Sequence, residues 1–261
     1  MFEKTIQYNN SFYFFCINNN MCKKIIIFGF PHTGTTILRS IMGHIEQVYE
    51  IVDETDCIPN NIDCTNYDFV LCKYPYLLNE AEFETKYADY IKLFIMRNPL
   101  YVFTSLNQRF KKSIPVNHSI HSYIHAIKAF HKFSNNSNNN KNNIKNLYLI
   151  KYEDMFDNNY EKLKTIFNAI GLKYDNHIFD NSKYTNNVQF GKHVKLPTTS
   201  PNPLLHTEYR LFQINQSFVN NNDANNINLT EEQCAVLTTD ENILAVYPQN
   251  KTFSLSKTKE T

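Results

Sequence analysis

A continuous apolar run, Ile25-Ile26-Ile27-Phe28, leads into a loop with Gly29, Pro31 and Gly34, after which Ile37, Leu38, Ile41 and Met42 recur at helical spacing. The pattern predicts strand, loop and helix over 23–43. Apolar runs at 69–72, 91–96 and 147–150 predict three more strands, the first of them stopped by Pro75. A short helical stretch is expected after Pro75, helices are expected over 100–110 and 117–133, and a further one follows Asp154, runs through Ile170 and stops at Gly171. The segment 48–55 has no strong periodicity and reads as an acidic turn. Thr230-Glu231-Glu232-Gln233 reads as a capping box that opens the last helix. Strands alternating with helices predict an α/β protein with a mainly parallel sheet, whose ligands lie at the carboxyl ends of its strands.

Composition narrows the organisation. A chain of 261 residues, 42% hydrophobic and 14% aromatic, is long enough for one α/β domain with decoration. Residues 21–261 are read as that domain and 1–20 as an extension it can dispense with. Asn-rich loops near 134–143 and 215–228 read as solvated insertions. A net charge of +1 offers no global attraction to nucleic acid or a membrane surface, so any anion site must be local. None of the six cysteines forms a C-x-x-C pair. They read as free thiols of a reducing compartment, with a Cys57–Cys64 disulfide as the lesser alternative. No apolar run reaches membrane-spanning length and the 11–17 run makes a poor signal peptide, so a cytoplasmic protein is expected. Nothing in the chain specifies an oligomeric state.

The loop carries the first chemistry. Gly29-x-x-x-x-Gly34-Thr35-Thr36 has the spacing of a nucleoside-triphosphate loop, with Thr35 where the phosphate-binding lysine would stand. Helix-start amides and close-approaching glycine backbone remain, which together make a phosphate cradle. Lys73 and Arg97 each follow a predicted strand, so both should converge on that cradle. His121 and His125 have the spacing of a two-histidine metal site, but no H-E-x-x-H arrangement accompanies them and they read as an ordinary helix face.

These residues together resemble the sulfotransferase superfamily. Gly29-Phe30-Pro31-His32-Thr33-Gly34-Thr35-Thr36 is similar to its loop for a 5′-phosphosulfate, and Met96-Arg97-Asn98-Pro99 with Ser105 eight residues after Arg97 is similar to its 3′-phosphate site. Tyr152-Glu153-Asp154, with a helix ending at Gly171-Leu172, resembles the family's fourth strand and helix. The resemblance implies a P-loop-like three-layer fold and transfer of a sulfuryl group from 3′-phosphoadenosine 5′-phosphosulfate to a hydroxyl of a carbohydrate, a protein tyrosine or a small alcohol, without a metal. It assigns donor binding to Pro31, His32, Thr33, Gly34, Thr35, Thr36, Arg97, Ser105 and Lys192, with Lys195 beside the last. Details lie nearest the tyrosylprotein and related enzymes, in which a Glu-Glu-Thr turn matches Asp53-Glu54-Thr55. That match makes Glu54 the general base, while Lys73 and His32 stabilise the transferring and leaving groups. Two departures stand out: His32 occupies a position usually held by Lys or Arg, and Lys73 is followed by Tyr74-Pro75 rather than by the Thr-His of the small-molecule enzymes. A P-loop small-molecule kinase and a non-catalytic nucleotide-binding or interaction protein are the alternatives.

Overall fold

The computed structural model describes residues 22–60, 62–110, 114–138, 144–180 and 218–254. The extension 1–20, Lys192 and Lys195 lie outside them.

Strand β1 (Lys23–Gly29) is the centre of the sheet, with Ile25 to Phe28 fully buried. Burial on both faces is what a run of β-branched and aromatic residues without polar interruption requires. Helix α1 (Thr35–Gly43) follows, then β2 (Val48–Glu54), β3 (Phe69–Tyr74) and β4 (Tyr90–Met96). Helices α2 (Pro99–Phe110) and α3 (Ile120–Asn138) lead to β5 (Leu147–Lys151), and α4 (Glu161–Ile170), α5 (Glu231–Thr239) and α6 (Glu241–Val246) come after it. The strands are ordered β2-β3-β1-β4-β5 and every pairing is parallel.

Alternate residues of each strand feed two separate cores. Ile25, Ile27, Leu71, Leu93 and Ile95 pack with Leu38 and Ile41 of α1 and Leu163 and Phe167 of α4. Ile26, Phe28, Val70, Cys72, Phe94 and Met96 pack on the opposite side with Phe103 of α2, Tyr123 and Ile127 of α3, and Ile243 of α6. The result is the expected three layers, helices on both faces of a parallel sheet.

Four local readings are corrected. The segment taken as an acidic turn is strand β2; among the described residues it sits at the sheet edge and pairs only with β3, and it shifts register between Glu50 and Glu54, which breaks its alternation. Helix α3 runs on through Asn138, into the stretch read as a solvated loop. The capping box forms with both of its hydrogen bonds, but the helix it opens is followed by α6, which has its own cap from Asp240. Cys22 and Cys64 form a disulfide, which fixes the start of β1 to the loop between β2 and β3, while Cys57 is free. The reading of the cysteines as free thiols is thus corrected at Cys22 and Cys64, while Cys57, Cys72 and Cys234 are free. Among the described residues no helix is long and apolar enough to cross a membrane.

Candidate functional site

The strand order makes β1 a switch point: the chain leaves it toward β2 and β3 on one side and later returns as β4 on the other. Ligand crevices of parallel sheets open at such points. Registers place Lys73 beside Ile27 on one side of β1 and Ile95 beside Gly29 on the other, so Lys73 and Arg97 reach the same end of the sheet as the loop.

The loop is shaped by its backbone. Gly34 caps α1 at φ 101°, and a methyl group there would come within 2.5 Å of the Tyr152 ring. At Gly29 a methyl group would collide with the carbonyl oxygen of Ile95. His32 also holds a positive φ, 66°. Pro31, Thr33 and Thr35 are buried. Thr33 donates its hydroxyl to the carbonyl of Phe30 at 2.6 Å, which braces the loop rather than facing a ligand. The N-cap residue Gly34 brings no side chain to accept from the first amides of α1, those of Thr35 and Thr36 among them, and the positive end of the helix suits an anion.

Lys73 is 1% exposed, and its ammonium donates to Thr36 Oγ1 at 2.8 Å and to Glu54 Oε1 at 2.7 Å. Burying an ammonium costs several kcal/mol unless partners compensate it. Here a carboxylate and a hydroxyl do so, and they hold the charge at the first turn of α1. The register that pairs Glu54 with Lys73 across β2 and β3 is the local cause. Glu54 keeps a third of its side chain exposed.

On the other side of the loop, Arg97 follows β4 and its guanidinium lies over the Tyr152 ring at 4.4 Å, with Tyr101 at 5.9 Å. Arg97 Nε donates to Asn222 Oδ1 at 2.7 Å. Asn222 in turn donates through Nδ2 to Glu153 Oε1 at 2.9 Å, an oxygen that also accepts from the Asn98 amide at 2.9 Å. The Tyr152 hydroxyl accepts from the Asn221 amide at 3.1 Å. One aromatic ring therefore lies against the loop glycine and the arginine and anchors the segment that carries Asn222.

His32 joins the two halves. Its Nε2 is 3.3 Å from Arg109 Nη1 and its Nδ1 is 2.7 Å from Ser105 Oγ. Arginine can only donate, so Nε2 is the acceptor and the ring proton resides on Nδ1, donated to Ser105. Burial, followed by the charges of Arg109, His118, Arg97 and Lys73, pushes the imidazole down to about 3. The ring is neutral at physiological pH. His32 thus does not replace the missing basic residue of the loop with a charge of its own; Arg109, one helical turn beyond Ser105 on α2, places one beside it. Sequence reading missed Arg109, although its spacing of four from Ser105 puts both on one helix face. It missed Asn222 as well, because only the fold brings that residue to Arg97.

The structure brings Gly34, Thr35, Thr36, His32, Lys73, Glu54, Arg97 and Ser105 to one end of the sheet. A search of solved structures finds mouse sulfotransferase SULT7A1 complexed with PAP at 14% identity, covering 89% of this chain and 86% of that one, with a TM-score of 0.50. The chain has the sulfotransferase fold. A sulfotransferase domain from the curacin biosynthetic pathway also matches, at 15% identity over 83% of this chain and 96% of that one; its TM-score of 0.46 is too low to add to the argument. No family model and no curated protein matches the chain. The sulfotransferase likeness therefore speaks for the architecture, and the chemistry has to be argued from the side chains.

Proposed function

We propose that the protein transfers a sulfuryl group from 3′-phosphoadenosine 5′-phosphosulfate to a hydroxyl acceptor. The observation that carries the reading is the pair of cationic positions flanking the β1 loop from its two neighbouring strands, Lys73 near the end of β3 and Arg97 just after β4. A donor with a phosphosulfate at one end of its nucleoside and a phosphate at the other needs two such positions. The bound bisphosphate in the mouse neighbour favours the same reading.

In this account the Gly34, Thr35 and Thr36 amides hold the phosphosulfate, with Lys73 at the first turn of α1 and Arg109 beside His32 offsetting its charge. Arg97 and Ser105 hold the 3′-phosphate; a guanidinium fork suits phosphate geometry, and stacking on Tyr152 restricts the directions it can point. Glu54 accepts the acceptor's proton as its oxygen attacks sulfur. The bond from sulfur to the phosphate oxygen breaks, and Lys73 stabilises the charge left on that oxygen. Glu54 and Lys73 are in contact, so the proton acceptor and the leaving-group cation are held in a fixed relation before substrate arrives.

Glu54→Gln separates binding from chemistry. With the sulfuryl donor and a panel containing a phenol, an aliphatic alcohol and a sugar, turnover should fall by about 10²-fold or more, the range of general base catalysis. Calorimetric affinity for the bisphosphate product should stay within about threefold, since the donor phosphates do not touch Glu54 in this account. A variant that turns over as fast as the parent on an active acceptor removes Glu54 from the mechanism.

A further inference from the structure

We infer that Asn222 is a positioning residue that aims Arg97 and thereby sets the preference for a 3′-phosphate; the inference rests on the donor assignment above. The geometry isolates its role. Arg97 is nearly fully buried and a carboxylate, Glu153, lies close to it. A direct ion pair between them would satisfy both and spend the guanidinium's charge inside the protein. Instead a neutral amide stands between: Oδ1 accepts from Arg97 Nε at 2.7 Å and Nδ2 donates to Glu153 Oε1 at 2.9 Å.

A side-chain amide offers an acceptor and a donor on one short planar group without carrying a charge. It keeps the carboxylate and the guanidinium bridged yet apart, and it engages the Nε edge of Arg97. Arg97 Nη1 donates to the carbonyl of His32 at 3.4 Å, which places that terminal nitrogen on the loop side, where the donor assignment puts the anion.

Asn222 is itself fixed. Its backbone N–H donates to Asn220 Oδ1 at 3.0 Å, and the neighbouring Asn221 backbone N–H donates to the Tyr152 hydroxyl at 3.1 Å. Tyr152 is also the ring beneath Arg97 at 4.4 Å, so one side chain locates both the arginine and the segment that orients it. Part of an Asn-rich stretch that composition alone classes as solvent-facing filler is, by this reading, a component of the nucleotide site.

The test compares two ligands on three proteins by calorimetry: 3′-phosphoadenosine 5′-phosphate and adenosine 5′-monophosphate, with wild type, Asn222→Asp and Asn222→Ala. Asp keeps the shape but offers Arg97 a carboxylate and Glu153 a repulsive neighbour; Ala removes the bridge. The preference of wild type for the bisphosphate over the monophosphate should shrink at least about tenfold in both variants, the scale of one charge-assisted hydrogen bond. Affinity for the monophosphate should hold within about twofold, because that ligand does not use Arg97. Wild type that discriminates, with variants that discriminate equally, overturns the inference while leaving the donor assignment standing. Loss of both ligands in both variants shows a merely structural asparagine and also overturns it. Wild type with no preference for the bisphosphate removes the donor assignment and the inference together.

Discussion

His32 shows how a side chain's place can be legible in the sequence while its charge is not. Its place in the loop was legible, because Gly29, Gly34 and the two threonines frame it. Its charge was not, because the groups that decide it, Arg109, His118, Arg97 and Lys73, arrive from other segments. The consequence is measurable in stability. Burial and Arg109 also push His118 down to about 4, partly opposed by Glu54. In both cases the unfolded chain binds a proton near pH 6.5 that the folded chain refuses. Stability is therefore complete above about 6.5 and is lost as pH falls toward the folded values, by up to about 1.4 kcal/mol per pH unit for each histidine. Thermal unfolding followed between pH 7.5 and pH 4.5 should show this decline, and His32→Gln should make it shallower. A His32→Gln profile parallel to wild type would mean that His32 titrates normally in the folded protein.

Elements were legible where local chemistry alone determines them. β1 announces itself as an apolar run, α4 ends at Gly171 with φ 85°, and Thr230 with Gln233 opens α5 through a complete capping box. β2 was hidden because an edge strand with a register shift does not need alternation, and its pairing with β3 is a long-range fact. The end of α3 was hidden for the opposite reason: Asn135 interacts with His131 one turn earlier at 3.1 Å, so a polar tail continues a helix that composition would stop. The junction of β1 and α1 is where element and site coincide. Gly34→Ala forces a left-handed residue to carry a side chain, at about 1–2 kcal/mol, and drives it against the Tyr152 ring. The melting temperature should drop by about 2–8 °C on that cost. Affinity for 3′-phosphoadenosine 5′-phosphate should drop with it, since Tyr152 supports Arg97. Unchanged melting and binding in Gly34→Ala would show that the loop tolerates a different course.

At the scale of the whole molecule, a nearly neutral chain has collected Lys73, Arg97 and Arg109 around one loop. The sheet order does this for Lys73 and Arg97, because β3 and β4 flank β1, and α2 adds Arg109. Much of the assembly could be anticipated, because the carboxyl ends of parallel strands share one end of the sheet. The bridge from Glu153 through Asn222 to Arg97 could not, since it joins residues about seventy and more than a hundred positions apart by contacts that no local pattern encodes.

The central claim is that this end of the sheet binds a nucleotide bearing phosphates at both the 3′ and 5′ positions. Calorimetric titration of the purified protein with 3′-phosphoadenosine 5′-phosphate, beside Arg97→Ala, tests it most directly. The account predicts tight binding by the wild type and a loss of about 10–100-fold in the variant, as expected for removal of a charged phosphate contact. Folded protein that ignores the bisphosphate, or binds it equally well without Arg97, would contradict the assignment of this site.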